Sequence, residues 1–408
     1  MTERSEEEQR TELMQQIREQ IDLSREVSDE EVLEAIDECI IEYSKTVFLS
    51  LPQKSRLRRE LFNTLRRLDI LQDLVDDPEI TEIMVNGTEP VFIEKQGRLI
   101  PLKLHFETRE RLEDIIQQIV AKTNRVVNMS SPIVDARLDN GARVNAVLQP
   151  VAINGPILTI RRFPDKPLQM EDMFRLQTIS KEAADFLKIL VKAGYNIMIS
   201  GGTGSGKTTF LNVLSGFIPE DERIITIEDS AELQLQGIDN LVRLEVRNAN
   251  MEGCKEITIR DLIKTALRMR PDRLIIGEVR GAEAVDLLQS FNTGHDGSIS
   301  TAHANSAVDL FSRMEMMMLM GLEMPLSAIR RQLAAGIDIV IHLGRLRDKS
   351  RRVLEIAEVI GMENDEIKIQ SLYLLEEEGE DPNGVIVGKL QRKAELQNRQ
   401  KLIHSGLQ

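Results

Sequence analysis

Hydrophobic residues recur at helical spacing over the first 70 residues of the chain. Leucines follow one another at intervals of four and three residues from Leu57 to Leu71, which predicts an amphipathic helical stripe. Upstream, Ser28 and Glu31 have the spacing of a capping box, in which each side chain bonds the other residue's backbone N–H. The arginines beside the leucines are interpreted as the solvated face of this helix, with a partner-binding surface as the alternative. Residues 1–70 are therefore predicted to form a helical region.

Short β-like runs replace this pattern between residues 71 and 163. The runs at 83–85 and 91–93 flank Asn86-Gly87, a turn dipeptide, and two further runs lie at 143–147 and 156–162. We interpret this part as a small α+β domain. Two prolines in residues 163–167 predict a linker over residues 164–170 and a hinge between domains.

Apolar strand candidates alternate with helical stretches from residue 171 to residue 372. The strands are predicted at 196–200, 223–227, 273–276 and 337–341. Such alternation favours an α/β fold, with a largely parallel sheet that carries helices on its faces. Beyond Tyr373, an acidic and turn-rich stretch predicts a peripheral or mobile tail over residues 373–408.

Composition and charge narrow the class of protein. The chain has 408 residues, of which 41% are hydrophobic, and no run approaches the about 18 apolar residues of a membrane-spanning helix. The polar, acidic start has no secretory signal, and the two cysteines, Cys39 and Cys254, favour a reduced cytosolic compartment. A net charge of −15 argues against nucleic acid as the main substrate and against direct docking on anionic lipid. Any membrane association is therefore expected to go through a protein partner.

A glycine-rich run after the strand at 196–200 carries the strongest chemical signal. It comprises Gly201, Gly202, Thr203, Gly204, Ser205, Gly206, Lys207, Thr208 and Thr209. A strand, this G-x-x-x-x-G-K-[ST] run and a helix are the parts of a phosphate-binding loop, in which backbone N–H groups surround an oxyanion. Lys207 is expected to reach the β- and γ-phosphates, and the Thr208 hydroxyl to hold Mg²⁺. The sequence therefore predicts binding of a nucleoside triphosphate together with Mg²⁺.

Acids at two other strand ends add hydrolytic chemistry. Glu278 follows the strand at 273–276 and could orient a water against the γ-phosphate or help to hold Mg²⁺ through water. Glu228 is the favoured second acid in a cluster of three carboxylates, which repel one another unless a cation such as Mg²⁺ lies nearby. A solvent-exposed acid is the alternative for Glu278, and an acidic surface turn is the alternative for Glu228.

Two histidines, His295 and His303, lie close together in the segment 293–306. A hydrogen bond from His303 to a phosphate oxygen is favoured over a structural role or a metal site, because no third nitrogen or thiolate ligand is near in sequence. The methionine-rich segment 313–320 is interpreted as a buried helix face, with a partner-docking surface as the alternative.

The order of four segments resembles the secretion ATPase superfamily, the hexameric motors of type II and type IV secretion and of type IV pili. The segments are GGTGSGKTT, TIEDSAEL, RLIIGEVR and TGHDGSISTAHANS, which match Walker A, the Asp box, Walker B and the His box. The resemblance covers about residues 76–372, and it implies that residues 171–372 form a RecA-like ATPase domain. The sequence pattern is most similar to that of the CpaF-type tight-adherence (Flp) pilus assembly ATPase, because of the motifs SPIVDARL at 131–138 and TGHDGS at 293–298.

This resemblance implies roles for individual residues. Lys207 and Thr208 would contact phosphates and Mg²⁺, Glu278 would be the catalytic glutamate, Glu228 the Asp-box acid and His303 a γ-phosphate contact. Two arginines of the N-terminal domain, Arg143 and Arg161, would neutralise phosphate charge, and Arg268, Arg270 and Arg280 are weaker candidates. Nucleotide is expected between the two domains, with hydrolysis opening and closing the cleft.

Two departures from the family pattern favour the tight-adherence branch. Extension-type pilus motors and type II secretion relatives usually carry a four-cysteine zinc module, which this chain lacks, and the Asp box has Glu-Asp-Ser where many relatives have Glu-Asp-Pro.

The resemblance therefore implies a cytoplasmic, hexameric ATP hydrolase that drives pilin assembly or secretion. It would lie peripherally at the inner face of the cytoplasmic membrane, through an inner-membrane platform protein. An ATP-gated assembly scaffold without turnover and a nucleic-acid motor remain as alternatives, and scarce aromatic residues count against the latter. The cargo and the direction of filament movement are left open.

Overall fold

The computed structural model describes residues 6–21, 27–95, 97–123, 125–162, 166–247 and 255–407. The chain divides into two compact units, Met1–Asp165 and Lys166–Gln408. The predicted hinge at 163–167 lies largely outside the described residues, as does Cys254. Among the described residues, no helix combines the length and hydrophobicity needed to cross a bilayer.

The first unit begins with helices, as predicted. They are α1 (Glu6–Gln20), α2 (Asp29–Tyr43), α3 (Leu51–Arg66), a 3₁₀ turn (Asp69–Leu71) and α4 (Gln72–Asp76). The capping box at the start of α2 is confirmed, since Ser28 Oγ accepts from Glu31 N at 3.2 Å and Glu31 Oε2 accepts from Ser28 N at 2.9 Å. The leucine stripe is only partly helical, because α3 ends at Arg66 and Leu71 packs into the core of the adjacent sheet.

A six-stranded antiparallel sheet completes the first unit. Its elements are β1 (Ile80–Asn86), β2 (Val91–Lys95), β3 (Arg98–Leu102), α5 (Arg109–Ala121), β4 (Ile133–Arg137), β5 (Arg143–Val147) and β6 (Ile157–Arg161), in the strand order β3-β2-β1-β6-β5-β4. Leu112, Ile115 and Ile116 of α5 are completely buried in the same core as the inward residues of the strands. The other side chains of β4, β5 and β6 are partly or fully exposed, so alternation gives this sheet one covered and one open face.

The second unit contains a nine-stranded sheet in the order β15-β14-β13-β12-β7-β11-β10-β8-β9. Its elements are α6 (Met170–Arg175), α7 (Lys181–Lys192), β7 (Ile197–Gly201), α8 (Lys207–Ser215), β8 (Ile224–Glu228), β9 (Leu241–Glu245), α9 (Ile259–Ala266), β10 (Arg273–Val279), α10 (Ala284–Asn292), β11 (Ile299–His303), α11 (Ala307–Gly321), α12 (Leu326–Gly336), β12 (Ile339–Arg345), β13 (Arg351–Glu363), β14 (Glu366–Glu380), β15 (Ile386–Arg392) and α13 (Gln400–Ser405). The strands from β12 to β9 are parallel, and β13 to β15 extend the sheet in antiparallel fashion.

Burial on both faces of the sheet explains why most of the parallel strands could be predicted from the sequence. Every position of β7 and of β8 is buried, so each strand reads as a continuous run. Helices α7 and α8 cover one face, and α9 to α12 cover the other. The four predicted strands are confirmed as β7, β8, β10 and β12, whereas β11 was missed because Ser300, Thr301 and His303 make it polar.

The prediction of a peripheral tail after Tyr373 is wrong. β14 runs through this position, Tyr373 is 1% exposed, and Leu396 lies in the core. The backbone N–H groups of Gln397 and Asn398 also donate to the buried Glu358. Acidic residues that are paired with cations on neighbouring elements hid the strand in the sequence pattern.

The methionine-rich segment lies on α11 and fits both interpretations in part. Met314, Met317 and Met318 are completely buried, as expected for a helix face in the core, whereas Met316 and Met320 are exposed.

Candidate functional site

The glycine-rich loop lies at the carboxyl edge of the parallel strands, between β7 and α8. Gly206 has φ +92° and precedes the first residue of α8, a conformation that favours glycine. A Cβ on Gly201 would overlap Leu343 O of the neighbouring β12 and lie 2.6 Å from Ser205 Oγ. The loop therefore needs glycine where it packs against the sheet and where it turns into the helix.

Lys207 holds its ammonium group at the mouth of this loop. Nζ donates to Gly201 O and Gly202 O, both at 3.1 Å, and lies 3.3 Å from His303 Nδ1. Burial lowers the pKa of Lys207, and the Glu278 carboxylate acts in the opposite direction. The N-terminus of α8 adds partial positive charge at the same point. Phosphate oxygens are thus natural partners for a cation whose contacts, among the described residues, are two carbonyl oxygens and an imidazole.

Strand order places His303 and Glu278 beside this lysine. β11 lies between β7 and β10, and its last residue, His303, is in register with Gly201. His303 Nε2 lies 2.8 Å from Glu278 Oε1. Burial lowers the pKa of His303 below its ordinary value despite the nearby carboxylate, so the imidazole is neutral at pH 7. Lys207, His303 and Glu278 consequently form one continuous line of contacts.

Arg280 and Asp229 continue this line on the other side of Glu278. Arg280 Nη2 lies 2.6 Å from Glu278 Oε2, and its Nη1 lies 3.8 Å from Asp229 Oδ2. Sequence reasoning ranked Arg280 low and chose Glu228 rather than Asp229. The Glu-Asp-Ser motif contained the signal for Asp229, but only the structure shows which acid is exposed.

Glu228 occupies a different environment from Glu278. It is 2% exposed, and its Oε2 accepts backbone hydrogen bonds from Glu232 at 2.7 Å and Leu233 at 2.9 Å. Within the described part of the chain, its Oε1 has no hydrogen-bond partner. Burial raises the pKa of Glu228 to about 7. A Cβ on Gly277 would lie 3.1 Å from Glu228 Cγ, so this side chain packs against Gly277 of the neighbouring β10.

Arg143 and Arg161 lie in the first unit, directly opposite one another on β5 and β6. Arg137 on β4 is opposite Arg143, and Glu82 on β1 is opposite Arg161. Directly paired residues share a face, so three arginines and an acid form one row across the open face of this sheet. Burial raises the pKa of Glu82, and Arg161 counteracts this. Sequence reasoning missed Arg137, although it belongs to the quoted SPIVDARL motif.

The two remaining arginine candidates lie at the other edge of the second unit's sheet. Arg268 and Arg270 precede β10, whereas Glu278 is near its carboxyl end. Parallel strands keep these two edges apart, so the structure does not bring Arg268 or Arg270 to the glycine-rich loop.

The donor set of the site suits a phosphate-bound cation. Thr208 stands in the first turn of α8 and is half-buried, while Ser205 Oγ is buried and, among the described residues, lacks a hydrogen-bond partner. No three His, Cys, Asp or Glu side chains cluster as a metal site anywhere in the described ranges. His295 instead lies 3.4 Å from Thr293 Oγ1.

Comparisons with known proteins agree with this geometry. The profile of the family described as type II/IV secretion system protein matches residues 65–378. A putative conjugal transfer protein of Mycobacterium tuberculosis is 35% identical over 305 residues, 73% of this chain and 86% of the relative. The type IV secretion system protein VirB11 of Brucella suis is 32% identical over 303 residues, 68% of this chain and 84% of the relative. The crystal structure of the pilus retraction motor PilT with bound ADP shares the fold, with a TM-score of 0.52 at 18% identity over 84% of this chain and 87% of that one.

The chain belongs to the type II/IV secretion system protein family, and it is a nucleotide-binding ATPase of RecA-like fold. The prediction from sequence that it resembles this superfamily is confirmed. The narrower likeness to CpaF-type proteins stays a prediction.

Proposed function

We propose that this family member is a Mg²⁺-dependent ATP hydrolase that acts as a hexameric motor for pilin assembly or secretion. The observation that supports hydrolysis best is the contact line Lys207, His303 and Glu278 at the mouth of the phosphate-binding loop. A loop that only bound nucleotide would need the lysine but not a carboxylate placed two side chains away.

Mg²⁺ would be held by the Thr208 hydroxyl and by phosphate oxygens, with Glu278 and Asp229 acting through water. When bound, it supplies charge neutralisation for the transferred phosphoryl group. Glu228 is held through Oε2 by two backbone donors, and only its Oε1, which has no hydrogen-bond partner among the described residues, is free to act as a ligand. We infer that Glu228 positions the turn that carries Asp229; the prediction that it acts in catalysis or holds Mg²⁺ remains open to test.

The tautomer of His303 follows from its neighbours. An ammonium group only donates, so Nδ1 must be the acceptor that faces Lys207 Nζ, and the proton of the neutral ring lies on Nε2. Nε2 lies 2.8 Å from Glu278 Oε1, although this oxygen accepts no hydrogen bond from the described residues. His303 therefore stands in contact with Glu278 while its Nε2–H is available to a phosphate oxygen. Glu278 is left able to accept a proton from an attacking water.

The arginine row of the first unit, Arg137, Arg143 and Arg161, would add positive charge to the phosphates. Arg137 lies directly opposite Arg143, and Arg143 directly opposite Arg161, so the three side chains start from one face of the sheet. An arginine that contacts the transferred phosphoryl group accelerates hydrolysis by roughly 10³–10⁵-fold in other phosphoryl-transfer enzymes.

Phosphate release by the purified protein tests the hydrolytic part of this proposal. Glu278→Gln should bind ATP with wild-type affinity and turn over at least ~10²-fold more slowly, the usual scale for loss of an acid–base group. Glu256→Gln, which changes an exposed acid of the same unit, is the matched control and should resemble wild type. If the wild type and Glu278→Gln bind ATP alike but release phosphate at the same negligible rate, the protein is an ATP-gated scaffold.

The motor part concerns assembly and partners. We infer a ring of six copies, located at the inner face of the cytoplasmic membrane through a platform protein, because relatives and neighbours are secretion and pilus proteins. Measuring the particle mass in the presence of a non-hydrolysable ATP analogue tests this inference. A ring of six copies should have six times the chain mass of 46.3 kDa. A monomer at all protein concentrations would refute it.

A conjugation-type secretion machine is the second candidate, because several relatives are named conjugal transfer proteins. Cells in which the chromosomal copy is replaced by Glu278→Gln distinguish the two. Loss of surface filaments with unchanged DNA transfer supports the pilus motor, and the reverse result supports the conjugation machine.

A further inference from the structure

The hairpin formed by β12 and β13 lies directly beside the phosphate-binding loop. Leu343 of β12 is in register with Gly201, the first glycine of the loop. Two residues later β12 ends at Arg345, which faces the same side of the sheet as Leu343, the side covered by α8. In the antiparallel pair, Arg345 is directly opposite Arg351, the first residue of β13. Both arginines are exposed.

Arg351 touches the loop at two points. Its Nε donates to Gly204 O at 2.8 Å. Its Cδ lies 3.3 Å from the position that a Cβ on Gly206 would take. The bond engages a carbonyl oxygen, so it leaves the backbone N–H groups of the loop available for an anion. The two terminal nitrogens of the guanidinium are not used in this bond and remain beside the loop.

The charge arrangement of this hairpin is unfavourable without an anion. Like charges that are directly opposite on paired strands destabilise the pair. Among the described residues, neither Arg345 nor Arg351 forms an ion pair with a carboxylate. Arg347, in the turn between them, is by contrast held by Glu377 and Glu380, each at 2.6 Å. Two unneutralised guanidinium groups thus stand next to a loop whose ligand is a polyphosphate.

Strand order gives this pair a distinct place in the site. The loop follows β7, and β12 is the neighbour of β7 on one side. On the other side of β7 lie β11, which carries His303, and then β10, which carries Glu278. The cationic pair and the catalytic acid therefore flank the loop from opposite sides.

We propose that Arg351 is a positioning residue for the phosphate-binding loop and that, together with Arg345, it supplies positive charge to the polyphosphate of the bound nucleotide. The proposal rests on the proposed function, in which this loop binds a nucleoside triphosphate. It assigns the hairpin a role in nucleotide affinity rather than in the hydrolytic step.

Calorimetric affinity for Mg-ATP and Mg-ADP, together with KM and kcat, tests this role in four variants. Arg351→Ala should bind both nucleotides about 10-fold more weakly, as expected for loss of one charge-assisted hydrogen bond, with KM raised equally and kcat within about 3-fold of wild type. Arg351→Lys should be intermediate, since it keeps the charge but has no guanidinium fork. Arg345→Ala should weaken affinity by a smaller factor, because Arg345 makes no bond to the loop.

Arg347→Ala is the matched control, because it removes one positive charge from the same turn at a side chain already neutralised by two acids. It should keep wild-type affinity, KM and kcat. The thermal midpoint of the nucleotide-free protein should be alike in Arg347→Ala and Arg351→Ala, which separates an effect on the ligand from an effect on the fold.

Equal nucleotide affinity in Arg351→Ala and Arg347→Ala overturns the proposal, as does a loss confined to kcat. Should Arg351→Ala fail to fold, Arg345→Ala and Arg351→Lys decide the matter, and wild-type affinity in both overturns it. Failure of the wild type to bind either nucleotide would instead refute the proposed function.

Discussion

The buried acid at the end of β8 gives the sharpest prediction about this protein. On folding, the pKa of Glu228 rises from 4.5 to about 7. Between these two pH values the folded state therefore keeps a proton on this carboxyl that the unfolded chain has lost. Below pH 4.5 both states are protonated, and stability is complete. Between pH 4.5 and 7 stability falls, because the unfolded chain ionises first. At about 1.4 kcal/mol for each pKa unit, ionisation of Glu228 should lower the free energy of unfolding by about 3 kcal/mol once the pH exceeds 7.

Glu228→Gln removes the ionisation but keeps an oxygen that can accept from the Glu232 and Leu233 N–H groups. The free energy of unfolding of this variant minus that of wild type should therefore rise by about 3 kcal/mol from pH 4.5 to pH 7.5. This comparison cancels pH-independent effects, such as a poorly bonded amide nitrogen in the variant.

Urea titrations without nucleotide provide the assay, because a ligand would add its own stabilisation. Tyrosine fluorescence suits them, since the chain has no tryptophan and Tyr195 and Tyr373 are both buried in the second unit. Asp229→Asn is the charge-matched control at the adjacent, exposed position. A difference between variant and wild type that stays constant within about 0.5 kcal/mol over this pH range would refute the reasoning.

Four other variants test the loop and the arginine row. Lys207→Ala should weaken ATP binding at least ~10²-fold in calorimetry, because it removes a buried charge-assisted donor, and near wild-type affinity would contradict this. Gly201→Ala should abolish nucleotide binding and lower the free energy of unfolding by about 1–3 kcal/mol, since its Cβ would overlap Leu343 O; a variant as stable as wild type would show that the loop can adapt. Arg143→Ala and Arg161→Ala should lower kcat at least ~10-fold while ATP affinity is largely kept. Unchanged kcat and KM in both would remove these arginines from the site.

The sequence predicted best those features that depend on neighbours along the chain. The capping box of α2, the phosphate-binding loop and the apolar strands β7, β8, β10 and β12 each follow from local spacing or from burial on both faces. Prediction was poorer where side-chain polarity contradicted the structure. β11 was missed because its residues are mostly polar, and β14 was mistaken for a tail because its acids are neutralised by distant cations.

The candidate site shows the same limit at the level of single residues. Sequence motifs selected Lys207, His303 and Glu278, and the structure brings these three side chains into contact. The motifs did not show which of Glu228 and Asp229 is buried and which is exposed, because this depends on how the end of β8 packs against β10.

The amino-acid sequence by itself determined the chemistry of this protein, since a loop of glycines before a lysine and a helix binds phosphate through its own backbone. It also determined the family, because four motifs in a fixed order identify it. Tertiary structure alone decided which side chains lie together. Strand order places β11 and β10 on one side of the loop and the hairpin with Arg345 and Arg351 on the other. Strand register in the first unit aligns Arg137 with Arg143 and Arg161. The physical reason is that pairing between strands distant in sequence fixes distances and burial, and these set the charge state and the partners of each group.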